Sequence, residues 1–236
     1  MARRRNGAVA AVAVLLAVAG CTQEGTGASG EASTSGGAAL AAVDSLAVKG
    51  RAPRTGYDRD RFGSAWADTD SNDCDTRDDI LRRDLTDVEL GDDGCRVTSG
   101  TLGPDPYTGQ DIAFVRGRSK VDIDHVVALS DAWQKGAGQW APRKRIAFAN
   151  DPLNLRAVDA GTNRGKGDGD AATWLPPNKA YRCAYVANQV AVKRKYGVWV
   201  TAAEKEAMKQ VLARCPQQRL PTGGSPTEAP ARFHAD

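Results

Sequence analysis

Apolar residues recur at helical spacing in two long stretches near the end of this chain and at every second position in a short stretch near its middle. Asn178 to Tyr196 and Thr201 to Arg214 are the two helical stretches. Val186, Val190, Val211 and Leu212 fall on faces that should pack as a helical hairpin. Asn178 is placed to cap the first helix and Thr201 the second, with Glu204 completing a capping box. Leu40 to Val48 predicts a short leading helix, and the RAPRTGYDRDRFG segment after it is too rich in Pro and Gly to continue one. Asp75 to Leu85 predicts another helix, packing Ile80, Leu81 and Leu85. The DTDSNDCDTRDD stretch leading into it lacks the glycine and terminal glutamate of a calcium loop and reads as a loop and helix start.

Arg96 to Leu102 and Gln110 to Val115 read as strands around a DPYTG turn. Val121, Ile123 and Val126 continue a period of two. That period turns Val121 and Ile123 toward the core and puts Asp122 and Asp124 together on the opposite, accessible face, with His125 at the strand end. Ser130 to Lys135 and Pro142 to Asn150 predict short helices, with Ser130 as an N-cap and Pro142 at a first helical position that needs no donor. Leu153 and Leu155 flank Asn154 and anchor its segment, and Asn163 falls in a short helix after the loop at Asp159 to Gly161. Trp133, Trp140 and Trp174 read as core or loop anchors rather than platforms for bases.

The two ends read differently. Three arginines at positions 3 to 5, an apolar run from Val9 to Ala19 and then Gly20-Cys21 predict a signal peptide over residues 1 to 20, whose apolar run is too short to span a bilayer. Val18-Ala19-Gly20-Cys21 resembles a bacterial lipobox, which would acylate Cys21 and anchor the chain to a membrane; a plain secretory peptide is the other reading. Residues 21 to 37 read as a flexible tether, 38 to 220 as one domain with a real core, and 221 to 236 as a disordered tail. The expected location is extracytoplasmic, as a membrane lipoprotein or a secreted protein. The four cysteines beyond Cys21 are even in number, as suits an exported chain with two disulfides. Three pairings exist; Cys74 with Cys95 and Cys183 with Cys215 would each staple a local unit. No CxxC pair supports a zinc cluster.

Without the three leading arginines the chain has 29 basic and 29 acidic residues, unevenly spread. Asp58 to Asp111 holds 15 acidic and 6 basic residues, whereas Ile112 to Leu220 holds 19 basic and 9 acidic. The basic half contains Asp124 and His125, so a polyanion would be drawn toward that pair. A solvated surface with ordinary ion pairs is the plainer account of the same charges.

The runs VDIDHVVALSDAWQKGAGQW, RKRIAFANDPLNLRAV and NRGKGDGDAATWLPP together resemble the secreted bacterial HNH endonuclease-like family related to the nuclease part of the GmrSD restriction systems. The resemblance spans about Tyr57 to Cys215 and implies an α+β fold, mainly helical, around a small ββα-metal core. It also implies that Asp124 and Asn163 are metal ligands, that His125 is the general base, and that Asn154 is the central asparagine, orienting His125 or fastening its loop. Lys166 would contact phosphate, and Asp168 would brace the metal loop or pair with Arg164; either could equally be surface charge. Asp122 and Asp168 stand as supporting carboxylates. Arg143, Lys144, Arg145, Arg164 and Lys166 are the candidate phosphate contacts, suited to backbone attraction rather than base reading. His234, in the expected tail, is set aside as catalytic.

The chemistry agrees with that assignment. Phosphodiester hydrolysis needs an activated water and stabilisation of the leaving oxygen, for which a histidine titrating near neutrality and a divalent cation are suited. Oxygen ligands favour Mg²⁺ or Mn²⁺, with Ca²⁺ and Zn²⁺ left open. The resulting expectation is a monomeric, exported, metal-dependent endonuclease acting on nucleic acid, DNA first, with little sequence preference. The alternative is a noncatalytic nucleic-acid or cell-envelope binding protein on the same scaffold.

Overall fold

A computed structural model describes residues 39–235. The expected signal peptide, the Cys21 lipidation site and the tether lie outside the described residues.

The described residues begin with helix α1 (Ala39–Asp44), shorter than its pattern predicts, and pass through a single 3-10 turn to α2 (Thr76–Asp84). Asp75 caps α2, its carboxylate accepting from the Asp78 N–H at 2.7 Å. Strands β1 (Thr86–Leu90), β2 (Val97–Leu102) and β3 (Ile112–Val115) form an antiparallel sheet in that order. A separate two-stranded sheet pairs β4 (Val121–His125) with β5 (Leu155–Asp159), antiparallel. Between these two strands lie α3 (Leu129–Gln134) and α4 (Pro142–Ala149), and β5 runs directly into α5 (Ala160–Lys166), which packs on both strands. Helices α6 (Arg182–Tyr196) and α7 (Ala202–Leu212) complete the set. The α+β class holds.

Three apolar clusters organise these elements. Val186, Val190 and Leu212 of the α6–α7 pair meet α1, Tyr107 and Val158 in one. Phe62, Ile146, Phe148 and Tyr196 join α3, α4 and the end of α6 in the second. The third packs Ile80 and Leu81 of α2 on Val97, Phe114, Ile123 and Leu155, so that α2 covers one face of both sheets. The cystines Cys74–Cys95 and Cys183–Cys215 form as expected, the second tying the start of α6 to the end of α7.

Caps differ where tertiary contacts compete. Thr201 caps α7 as expected, accepting from the Glu204 N–H at 3.1 Å, but the Glu204 side chain is buried among lysines and closes no capping box. Asn178 caps a 3-10 turn ahead of α6 rather than α6 itself, and α3 starts after Ala128, with Ser130 inside it.

The segment after Leu220, expected to be loose, runs back over the core. Lys195 Nζ reaches both Asp151 Oδ2 (2.6 Å) and the Ser225 carbonyl (2.5 Å), while Asp151 Oδ1 accepts from the Ser225 N–H. Arg143 and Ala229 exchange two hydrogen bonds, and Ala229 is 1% exposed. Composition alone hid this, because the binding groups belong to residues 30 to 86 positions upstream. Gly224 adopts φ +85°, and a Cβ there would fall on the Asp151 carboxylate and the Lys195 ammonium. Gly224→Ala should therefore release the strap, read as faster limited proteolysis between residues 221 and 235 with the rest of the chain intact.

Candidate active site

In the β4–β5 register, Asp122 faces Val158 and Asp124 faces Arg156, while Ile123 and His125 pair with Ala157 and Leu155 on the other face. Asp122 and Asp124 thus share a face, as the period of two requires. That face is covered rather than open. Asp124 is 5% exposed: its Oδ2 accepts from the Tyr107 hydroxyl at 2.5 Å and its Oδ1 from Lys166 Nζ at 2.9 Å. Lys166 also donates to the His125 carbonyl at 2.8 Å. Burial pushes the Asp124 carboxyl up, against the pull of Lys166 and Tyr107.

His125 closes the strand with its ring almost enclosed. Nε2 lies 2.8 Å from the Ala149 carbonyl, which can only accept, so Nε2 carries the proton and Nδ1 keeps its lone pair. The Trp66 ring stacks on the imidazole, 6.2 Å between centroids and 14° between planes. Burial, with the Arg59 guanidinium nearby, pushes the imidazole down to about 3. The ring should stay neutral throughout the range about pH 5 to 8, with ring-carbon shifts that do not move there. Unfolding frees a ring that titrates near 6.5, about as in model peptides, so this residue's stabilisation is whole above that pH and is lost as the pH falls toward 3.

A cavity of about 420 Å³ brings together Asp124, His125 and Asn163, with Asp168 and Ser130 at its edge. Asn163 points its amide at Asp122 Oδ2 (3.4 Å), and Asp168 accepts from the Ser130 hydroxyl at 3.1 Å rather than pairing with Arg164. Asn154 is not in the cavity. Fully buried, it accepts from the Val127 N–H at 2.9 Å and directs its amide toward the Val127 and Phe148 carbonyls, which fixes the turn after β4 that carries His125. It fastens the loop and does not touch the ring.

Most of the expected phosphate contacts lie elsewhere. Lys166 is 3% exposed and committed to Asp124, which reaction with a bound phosphate would have to disrupt. Arg143 holds the C-terminal strap, Lys144 sits 4.5 Å over the Trp140 ring, and buried Arg145 donates to the Arg61 and Trp140 carbonyls. Arg164 is exposed on α5 but does not line the cavity. The cations that do line it are Arg54 and Arg59, with Tyr57, from the Pro- and Gly-rich segment before α2. Both arginines are exposed, and Arg54 lies over the Tyr57 ring at 5.0 Å. A cluster of arginines around an aromatic residue was the available clue, obscured because helix and strand patterns are silent there.

The loop leaving α5 is pinned by charge. Asp170, Asp131 and Glu204 meet Lys135, Lys193 and Arg51 in a network of three anions and three cations, linking α3, α6 and α7 to the strand of chain two residues beyond Asp168. Burial would raise the Asp170 carboxyl, but Lys135 and Arg51 hold it at about 2.

Among the described residues, no three His, Cys, Asp or Glu side chains are placed to share a metal ion. The oxygen donors lining the cavity include the Asp124 and Asp168 carboxylates, the Asn163 carbonyl and the Ser130 hydroxyl; Asp124 with Asn163 suits a hard divalent cation if water and phosphate supply the other positions. Each Asp124 oxygen has a second lone pair beyond the bond it accepts, so the fit is possible in donor chemistry, while Lys166 already offsets its charge.

Residues 75–211 match the model of the family described as GmrSD restriction endonucleases, C-terminal domain. The chain belongs to this family. A protein of the fungus Arthroderma benhamiae, named an uncharacterized secreted protein, is 42% identical over 175 residues, covering 73% of this chain and 82% of its own length. The bacterial source expected from the sequence has no support in this fungal relative. No solved structure matches.

Proposed function

We propose that this chain is an exported, metal-dependent endonuclease of HNH type that hydrolyses phosphodiester bonds in nucleic acid, with DNA as the expected polymer and little sequence preference. The observation that carries this reading is the placement of Asp124, His125 and Asn163 around one cavity, with the His125 tautomer set by Ala149. The succession of β4, β5 and α5 has the order of a ββα-metal unit, and the family's name supplies the reaction class. Two disulfides and the secreted name of the fungal relative support export.

In this mechanism Nδ1 of His125 takes the proton of the attacking water, while Nε2 stays bonded to the Ala149 carbonyl and keeps the ring from turning. An imidazole held at about 3 is proton-free but a weak base; a phosphate anion entering beside it favours the protonated form and raises its basicity when substrate is present. Asp124 and Asn163 would hold Mg²⁺ or Mn²⁺, which when bound supplies positive charge for the phosphate and the leaving 3′-oxygen. Arg54 and Arg59 bind the flanking phosphates, and Asn154 and Lys166 position the turn and the carboxylate.

The test is incubation of the full chain with circular and linear DNA, RNA and small phosphodiesters, in Mg²⁺, Mn²⁺ or EDTA. Cleavage that EDTA abolishes supports the proposal; intact substrates under every condition, with the fold verified, overturn it. The engagement of Asp124 by Lys166 favours a second reading, a noncatalytic nucleic-acid binder, which predicts retention of DNA without cleavage. Arg54→Ala and Arg59→Ala should each weaken DNA binding about equally across sequences and lower the salt slope by about one. Arg143→Ala should leave both unchanged, as fluorescence anisotropy at several salt concentrations would show.

A further inference from the structure

A second cavity, of about 390 Å³, shares no lining residue with the one at His125. Leu102, Pro104, Pro106 and Ala157 give it apolar walls; Tyr181, Asn188, Arg156 and Arg219 are among its polar lining residues, the Asn188 amide atoms themselves being covered. Asn188 lies within α6 and is 3% exposed, yet neither its amide oxygen nor its amide nitrogen has a hydrogen-bond partner among the described residues. Arg156 Nε is likewise buried and unpartnered, although its NH1 reaches Asp84 Oδ1 at 3.1 Å. Asparagine is a poor helix former, and a buried amide with nothing to bond is costly. An apolar residue would serve the helix and the core better, so the position is suited to something that brings a donor and an acceptor of its own.

The lining narrows what that is. A carboxamide offers a donor and an acceptor side by side, the edge that pairs bidentately with a nucleobase. Tyr181 and the prolines supply flat apolar surface for a planar ring. Arg156 and Arg219 against Asp84 leave one positive charge, and guanidinium groups are well matched to phosphate. The volume suits a small ligand. We propose that this cavity binds a nucleoside monophosphate, its base edge on the Asn188 amide and its phosphate toward Arg219. The ligand is a free nucleotide or the terminal nucleotide of a strand, which share this chemistry. The proposal is independent of the cleavage reading.

Isothermal titration of the full chain with AMP, GMP, CMP, dTMP, adenosine and inorganic phosphate tests it. At least one monophosphate should bind, equally well in His125→Ala, which separates this pocket from the first cavity. Asn188→Leu should weaken that binding about tenfold or more while raising the thermal midpoint of the ligand-free protein. Arg219→Ala, at the exposed rim, keeps the fold and should weaken the monophosphate while leaving its nucleoside unchanged. A 5′-phosphorylated dinucleotide bound more tightly than the mononucleotide assigns the pocket to strand ends, and the reverse assigns it to free nucleotide. Absence of binding by every monophosphate, binding untouched by Asn188→Leu and Arg219→Ala, or binding lost in His125→Ala overturns the proposal. Because these readouts need no cleavage, their failure is distinct from failure of the nuclease assay.

Discussion

Replacing His125 with alanine should slow metal-dependent cleavage of DNA by at least about 100-fold, the scale lost with a general base. The effect is chemical rather than structural. The ring contributes one hydrogen bond, to Ala149, and its removal enlarges a cavity already in contact with solvent, so a nicking assay should collapse while circular dichroism stays unchanged. Asn154→Ala provides the contrast. Its amide oxygen holds the Val127 N–H in a fully buried place, so its loss should lower stability by about 1 to 3 kcal/mol and activity together. An unchanged cleavage rate in His125→Ala would remove the imidazole from the reaction.

The largest expected effect on stability lies in the buried ion network. Lys193 touches Asp131 Oδ2 at 3.1 Å and Glu204 Oε1 at 2.9 Å, and Lys135 reaches Asp131, Asp170 and Glu204 within 2.8 Å, with both lysines fully enclosed. The groups balance in charge, so deleting one partner leaves a desolvated charge without its counterion, a loss on the order of 3–5 kcal/mol. Lys193→Met should therefore lower the denaturation midpoint severely. Adding Glu204→Leu removes the stranded charge and should recover part of that loss, because a neutral apolar pair of similar volume is often tolerated. If the double variant is less stable than the single one by the full cost of a second deletion, charge balance is not what holds the network. Its pH dependence has a defined sign. Asp170 titrates at about 2 when folded and near 3.9, about the ordinary carboxylate value, when unfolded, so its stabilisation is whole above about pH 4 and drains away as the pH falls toward 2.

Element types were readable wherever one face is buried at a constant period. The α6–α7 pair, α2 and β4 follow directly from spacing, because Val186, Val190, Ile80 and Val121 report a local geometry, whereas the cystines were chosen among three pairings as the ones that staple local units. What lies across a face was not readable. Alternation put Asp122 and Asp124 on one side of β4, but nothing local says that Tyr107 and Lys166 cover that side. β1 was missed because its residues are mostly exposed, and β5 because its apolar positions lie on both sides of a buried segment. Basic residues at 143 to 145 looked like a phosphate surface, yet the helix directs them to the strap, an aromatic ring and two carbonyls. Arg54 and Arg59 reach the cavity from a segment with no regular pattern at all. The orphaned amide of Asn188 is invisible in a helical run that otherwise reads as ordinary core.

The two cystines sit at the margins. One joins the acidic loop to the turn before β2 and the other fastens α6 to α7, and neither includes a residue of β4, β5 or α5. Thiol reagents therefore act on how the outer elements are stapled, while the sheet bearing Asp124 and His125 rests on packing, hydrogen bonds and ion pairs. Passage between oxidising and reducing surroundings changes how long this molecule endures rather than how Asp124 and His125 are held.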